Sequence, residues 1–288
     1  AKLLMPLTAA RVQLKVVLLG SASLSIQKGL AESLAGRYEV IDAPHWTYAE
    51  CRDAFGWDLE KYVVFGGYPA AAELIDDPAR WREFINRSII EPVLFKDLLA
   101  IAPVSKPALF RQTFLLSLAY PAMEISLQKM LGQLQDSGNV TTIRHYLDIF
   151  EGAFLIRTLQ KFSGSAIRKR GSSPKILPLN TALVSAQRRG TGVVHDDTEW
   201  FGRLFECVIG AELSRRFDAL YYWRDGHDEV DFVVHDQGVL YGVEVKSGRT
   251  RRFGGLASFL RRFPEAVPVI IDQDSGRKLL EGAAWGAG

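Results

Sequence analysis

Residues 229–248 read EVDFVVHDQGVLYGVEVKSG, two apolar runs, EVDFVV and LYGVEVKS, on either side of HDQG. Both runs alternate with period two, and Asp and Gly between them favour a turn, so an antiparallel hairpin is expected. Alternation sends Val243 and Val245 to one face and Glu244 and Lys246 to the other, and sets Asp231 opposite to Val230 and Phe232. A loop of two residues (Asp236, Gln237) or four (His235 to Gly238) pairs Asp231 with Gly242 and gathers Asp231, Glu244 and Lys246 on one face. A three-residue loop would turn Asp231 away. Two readings of such a face stand side by side: a solvated edge with a cross-strand ion pair, or a site.

The rest of the 288 residues gives that hairpin its setting. With 48% hydrophobic and 24% charged residues the chain has the composition of a protein with a sizeable core, not of a disordered one. Its two cysteines, Cys51 and Cys207, lie far apart in apolar surroundings, which points to reduced, buried thiols, and no Cys/His cluster has zinc spacing. No apolar run reaches the length of a membrane span, and a cytoplasmic location without membrane partners is expected. The net charge of +2 is unevenly spread. Thr158 to Val194 contains no acid, but carries Lys161, Arg168, Lys169, Arg170, Lys175, Arg188 and Arg189. This is the footprint of a phosphate-backbone contact or of a solvated basic loop.

Four segments follow from periodicity and breakers. Residues 1–45 contain VQLKVVLLGSAS, a buried strand running into Gly-Ser, followed by a helix and a second strand. That is too little for a doubly wound sheet, so the trailing part of a larger α/β domain is expected. No G-x-x-x-x-G-K-[ST] loop occurs, so no ATP site and no ATPase activity are expected of this chain. Residues 46–104 read as a helical lid around the turn GGYP, with Asp77 or Asp76 capping a helix that has Pro78 at its first position. Residues 105–180 run helix, helix, helix, hairpin, the order of a winged helix. The third helix has Val140, Ile143, Leu147 and Phe150 on its apolar face and Thr141, Arg144, His145 and Asp148 on the other. Arg144 on that helix and Arg168, Lys169 and Arg170 on the wing are the candidate DNA contacts. Residues 181–288 begin with the helix WFGRLFECVIGAELSRRF, on which Glu206 lies between Gly202 and Gly210, leaving room for a backbone or ligand. The helical wheel leaves Glu212 open as the alternative acid.

GRLFECVIGAEL, YYWRDGHDEVDFVV and YGVEVKSG resemble the helix and strands of the restriction-endonuclease-like PD-(D/E)XK superfamily, in particular the C-terminal domain of uncertain function of prokaryotic AAA-type ATPases. GSASLSIQKGLAESLAGR, GGYP and TTIRHYLDIFEGAFLI resemble the post-Walker, lid and winged-helix segments of the same proteins. The resemblance implies a mixed α/β (α+β) chain: a remnant AAA domain (1–45), a lid (46–104), a winged helix (105–180) and a nuclease-like domain (181–288). It further implies Glu206, Asp231, Glu244 and Lys246 as catalytic residues, with Asp231, Glu244 and Glu206 as ligands of Mg2+ or Mn2+. Converging carboxylates suit a hard cation, and a lysine two residues on can orient water or hold phosphate. The implied partners are DNA and either an ATPase half or a second copy of the chain. Two departures stand out: the Walker half is absent, and Asn180 in SSPKILPLN replaces an expected acid. Function therefore divides between a metal-dependent nuclease and a non-catalytic DNA-binding or regulatory portion of an ATPase with an inert nuclease-like fold.

Overall fold

A computed structural model of the protein describes residues 41–134, 138–164, 173–188, 198–248 and 254–285, with positions 17 and 39. The strand and helix expected before residue 41, and the wing residues Arg168, Lys169 and Arg170, lie outside the described residues. The fold is mixed α/β, built on a seven-stranded sheet.

The N-terminal part is helical. Thr47 caps α1 (Tyr48–Phe55) in a reciprocal box with Glu50, and Asp58 caps α2 (Leu59–Phe65). Of the two candidate caps Asp76 and Asp77, it is Asp77 that accepts the Arg80 N–H, at the head of α3 (Pro78–Phe84). The helix runs on through π-helical turns at Ile85–Ile90 and Val93–Leu98. The turn GGYP is clamped. Asn180 Oδ1 accepts the N–H groups of Gly67 (3.2 Å) and Ala182 (3.0 Å). A Cβ on Gly66, which has φ +66°, would lie 2.0 Å from that oxygen, and one on Gly67 2.1 Å from Trp46 O. Asn180 thus supplies the acceptor an acid would have supplied, while its buried Nδ2 has no hydrogen-bond partner.

Helices α4 (Pro107–Ala119), α5 (Leu127–Gln133) and α6 (Val140–Gly152) come next. Phe110 packs on Tyr146 and Phe150 at ring separations of 5.0 and 4.6 Å. Ile143, Leu147 and Phe150 are buried and Thr141, Arg144, His145 and Asp148 are exposed, as the spacing on α6 predicts.

The sheet has the order β1-β3-β2-β4-β5-β6-β7. Its strands are β1 (Met123–Glu124), β2 (Ile156–Lys161), β3 (Lys175–Pro178), β4 (Leu220–Asp225), β5 (Asp228–Asp236), β6 (Val239–Val245) and β7 (Val267–Ile271). The hairpin after α6 therefore does not stand apart as a wing. β2 pairs in parallel with β4 through Gln160↔Tyr221 and Lys161↔Tyr222, so one sheet runs through the segments on both sides of residue 180. Between β3 and β4 come α7 (Thr181–Ser185) and α8 (Thr198–Arg216), and α9 (Gly254–Arg262) joins β6 to its parallel neighbour β7 before α10 (Gln273–Leu280).

The β5–β6 hairpin closes through Gln237 and Gly238, both at positive φ (48° and 84°), with Asp236 opposite Val239. This is the backbone of a two-residue primed turn. It lies one residue further along than Asp236–Gln237, so the register moves by two. Gly242 pairs with Val233 rather than with Asp231. A shift of two preserves parity, which is why the polar residues still meet.

Candidate metal and phosphate site

Strict alternation fails at one point in β5. Tyr221 pairs with Val233 and Trp223 with Val230, so two residues, Asp231 and Phe232, face the single Tyr222 across a β-bulge. Val230 and Val233 consequently share the small core under α9, while Phe232 and Val234 join the main core. The expectation that Val230 and Phe232 share a face is overturned by this extra residue.

The bulge places Asp231 where β5 and β6 part. The β5–β6 ladder ends at Phe232↔Val243, and the Val245 N–H donates to Asp231 Oδ2 at 2.8 Å. On β6, Val243 and Val245 enter the main core and Glu244 is buried between them in sequence, its Oε1 2.5 Å from Lys246 Nζ. Its second oxygen, Oε2, is buried with no hydrogen-bond partner.

Glu206 reaches the same region from α8, which lies tight against the sheet. A Cβ on Gly210 would come within 2.6 Å of the Phe232 ring and 2.7 Å of Leu177, and one on Gly202 within 2.9 Å of Ser247 Oγ. The room expected beside Glu206 is filled by the protein's own side chains. Glu206 Oε1 instead meets Lys175 Nζ at 2.6 Å. Glu212, the other acid the helical wheel allows, is taken out of contention. It is buried between Arg215 (2.9 Å) and Arg216 (2.5 Å), and Arg216 also donates to the Leu279 and Ala283 carbonyls, tying α8 to α10 and the residues after it.

Two residues in the cluster were not singled out from the sequence. Lys175, counted there among the basic residues of Thr158 to Val194, is 0% exposed. Its ammonium also touches Glu229 Oε1 (3.3 Å), the Asp231 carbonyl (3.2 Å) and Asp231 Oδ1 (3.9 Å), and lies 5.2 Å from the centre of the Phe232 ring. Lys175 opens a strand whose four residues are all buried, which shows only once β3 is paired into the sheet. Glu229 is the other; Arg224 lies 3.7 Å from it and 3.3 Å from Glu124 at the rim.

The electrostatics follow from burial and an excess of carboxylates. Burial opposes the charge on Lys175, but Glu206, Asp231 and Glu229 outweigh it and hold its pKa above the ordinary lysine value. Burial raises Glu206 to about 8 against the pull of Lys175. Asp231 is also raised by burial, against Lys175 and the Val245 N–H. Burial and then the charge of Asp231 lift Glu244 to about 7, against Lys246. Asp231 is thus the hinge between two groups, Glu206–Lys175–Glu229 on one side and Glu244–Lys246 on the other.

For a hard cation the donor set fits in part. Among the described residues no three potential ligands are poised together for an ion. Asp231 lies near enough to Glu244 for its charge to raise that carboxyl, Glu244 Oε2 and Glu206 Oε1 are both buried without a hydrogen-bond partner, and Mg2+ is commonly held by one or two carboxylates with waters completing its shell. Of the expected DNA contacts, Arg144 lies on the exposed face of α6.

Comparison with known proteins gives these segments relatives. Residues 56–192 match a domain of unknown function (DUF8612) and residues 201–278 match another (DUF4143). Over 250 residues the chain is 28% identical to "Uncharacterized protein Mb2031c" of Mycobacterium bovis, covering 82% of this chain and 53% of that protein. It has the same identity and coverage with "Uncharacterized protein Rv2008c" of Mycobacterium tuberculosis. The chain spans about half the length of these curated relatives. No solved structure matches it.

Proposed function

We propose that the cluster at the β5–β6 divergence is a Mg2+- or Mn2+-dependent phosphodiester-hydrolysing site, in a cytoplasmic DNA-associated protein of the kind found with AAA-type ATPases. The observation that carries this reading is the buried, unpartnered Oε2 of Glu244 beside Asp231, in a cluster with more carboxylates than cations. Asp231 and Glu244 would hold the ion. When bound, the ion supplies Lewis-acid charge for a phosphate oxygen and its attacking water. The Asp231 carboxylate keeps one oxygen on Val245 N and presents the other. Lys246, partly exposed and ion-paired with Glu244, would leave that pair and donate to a phosphate oxygen or to the attacking water. Arg144, with Arg168, Lys169 and Arg170, would neutralise backbone phosphates of the DNA.

A second reading is an inert, ion-paired face in a regulatory or DNA-binding portion of an ATPase. What favours it is that Lys175 and Lys246 already engage Glu206 and Glu244 at ion-pair distance. Calorimetric titration of Mn2+ into the protein, beside a plasmid-nicking assay with and without Glu244→Gln, separates the two. Binding lost in the variant supports the metal site; absence of binding in the wild type at millimolar Mn2+ leaves the inert face.

A further inference from the structure

A cavity of about 310 Å3 opens where residues 42–47 and α2 meet α8, and none of Lys175, Glu206, Asp231, Glu244 and Lys246 lines it. Trp46, Tyr62 and Phe154 supply aromatic surface, and Val208 and Ala211 of α8 supply aliphatic surface. The protein itself holds these walls in place, as a pre-formed site requires. Arg157 donates to the carbonyls of Ser214, Phe217 and Asp218 and so fixes the end of α8. The Tyr62 hydroxyl donates to the Trp46 carbonyl at 2.9 Å. Phe154, a non-glycine residue at φ +57°, turns its carbonyl to His45 Nε2 at 2.8 Å. Backbone in that sparsely populated region persists only where the surrounding packing compensates it.

Two polar atoms are left over among the lining side chains. Ser214 Oγ is buried and has no hydrogen-bond partner. His45 donates from Nε2, because a carbonyl only accepts, and burial lowers its pKa and keeps the ring neutral, so Nδ1 is an acceptor.

We propose that this cavity binds a compact, flat organic cation with N–H donors, of the aryl amidine kind, through the rings of Trp46, Tyr62 and Phe154 and the acceptors of His45, Ser214 and Asp218. The proposal stands independently of the metal-site reading.

Three features select that chemistry. The first is size. The cavity lies at the lower end of the roughly 300–1,000 Å3 of small-molecule sites, which suits one ring with a short substituent. The second is hydrogen bonding. Arg215, the cation of the lining, is engaged by Glu212, to which its Nη2 donates at 2.9 and 3.0 Å. What remains is Ser214 Oγ, His45 Nδ1 and the carboxylates of Asp42 and Asp218, a set that accepts and asks for donors. The third is charge. Among the described residues Asp42 and Asp218 form no salt bridge, so a positive ligand gains where an anion is repelled. Aromatic faces add to the preference for a cation.

The test uses benzamidine, with benzamide and benzoate as neutral and anionic counterparts of the same shape, titrated into the full chain by calorimetry and by saturation-transfer NMR. One equivalent of benzamidine is expected to bind, benzamide at least tenfold more weakly, and benzoate not detectably. Ser214→Ala and Asp218→Asn should each weaken benzamidine severalfold; the second keeps the carbonyl that holds Arg157. Ala211→Phe, which fills the cavity, should abolish binding. The proposal is overturned by benzoate binding as tightly as benzamidine, by benzamidine binding unchanged in Ala211→Phe, or by no binding of millimolar benzamidine to the wild type. If Ala211→Phe does not fold, Ser214→Ala decides, and an unchanged affinity there overturns the proposal.

Discussion

The Val245 N–H donates to Asp231 Oδ2 at 2.8 Å, in the place where a carbonyl of the neighbouring strand would serve if β5 and β6 stayed paired. One carboxylate therefore carries a structural duty on one oxygen and offers the other to the site. The two duties separate by substitution. Asp231→Asn keeps an acceptor for Val245 and is expected to fold with a stability within ~1 kcal/mol of wild type, while losing Mn2+ binding. Asp231→Ala strands the N–H and should cost a further ~1–3 kcal/mol. Chemical denaturation beside metal titration checks both. Equal stability of the two variants would show that the bond to Val245 contributes nothing.

Glu244 gives a pH dependence of definite sign. Its carboxyl is raised from an ordinary 4.5 to about 7 in the folded protein. Between those values the folded state holds more protons than the unfolded chain, so this group makes stability fall as pH rises. The slope approaches ~1.4 kcal/mol per pH unit where the full proton difference applies. Melting temperatures measured from pH 4.5 to 8 should fall less steeply for Glu244→Gln than for wild type, and saturating Mn2+ should restore the wild type most at the alkaline end. Identical profiles for the two proteins would contradict this assignment.

Glu212 supplies the control. Its carboxylate is buried between Arg215 and Arg216, apart from the Asp231–Glu244–Lys175 cluster although it lies on the same helix as Glu206. Glu212→Ala should lower stability by about 3 kcal/mol, the low end for breaking a buried pair, because Arg215 keeps contact with water. Mn2+ affinity should not change. A loss of metal binding in this variant would mean that the wrong acid on α8 has been assigned to the cluster.

DNA association should follow the salt law of phosphate neutralisation. Log affinity falls with log salt with a slope of about 0.9 per phosphate contact. Replacing Arg168, Lys169 and Arg170 together by Ala is expected to flatten that slope by up to about three such contacts, and Arg144→Ala by about one. Unchanged slopes in a fluorescence-anisotropy titration would remove these residues from the DNA surface.

The polar face of the hairpin was legible in the sequence because it depends on parity alone. The turn slid by one residue, since Gln237 adopts the left-handed conformation that composition suggested for Asp or Gly neighbours, and the resulting two-residue shift left Asp231, Glu244 and Lys246 together. The bulge opposite Tyr222 left no periodic trace, because an extra residue in a run of Val and Phe looks like continued strand. Lys175 was hidden for a different reason. A basic residue close to Arg168, Lys169 and Arg170 in sequence reads as part of their patch, and only the pairing of β3 into the sheet turns it inward. Glu229 could have been found, since it stands two residues before Asp231. The apolar faces of α6 and the Asp77–Pro78 helix start, which are local, came through unchanged.

The parallel bond between β2 and β4 has a consequence for how the molecule comes into being. The two matched segments, ending at 192 and starting at 201, meet in a connection between strands of one sheet, so the seam between two sequence families passes through a single hydrogen-bonded ladder. On the ribosome the β2 edge, Gln160 and Lys161, emerges with its partner still unmade and must wait, unpaired, for β4 to arrive. Either half produced alone would keep that edge open and recruit a stranger's strand in its place. Recombination that swapped one segment without the other would have to rebuild the seam, which makes the pair, rather than either member, the heritable piece.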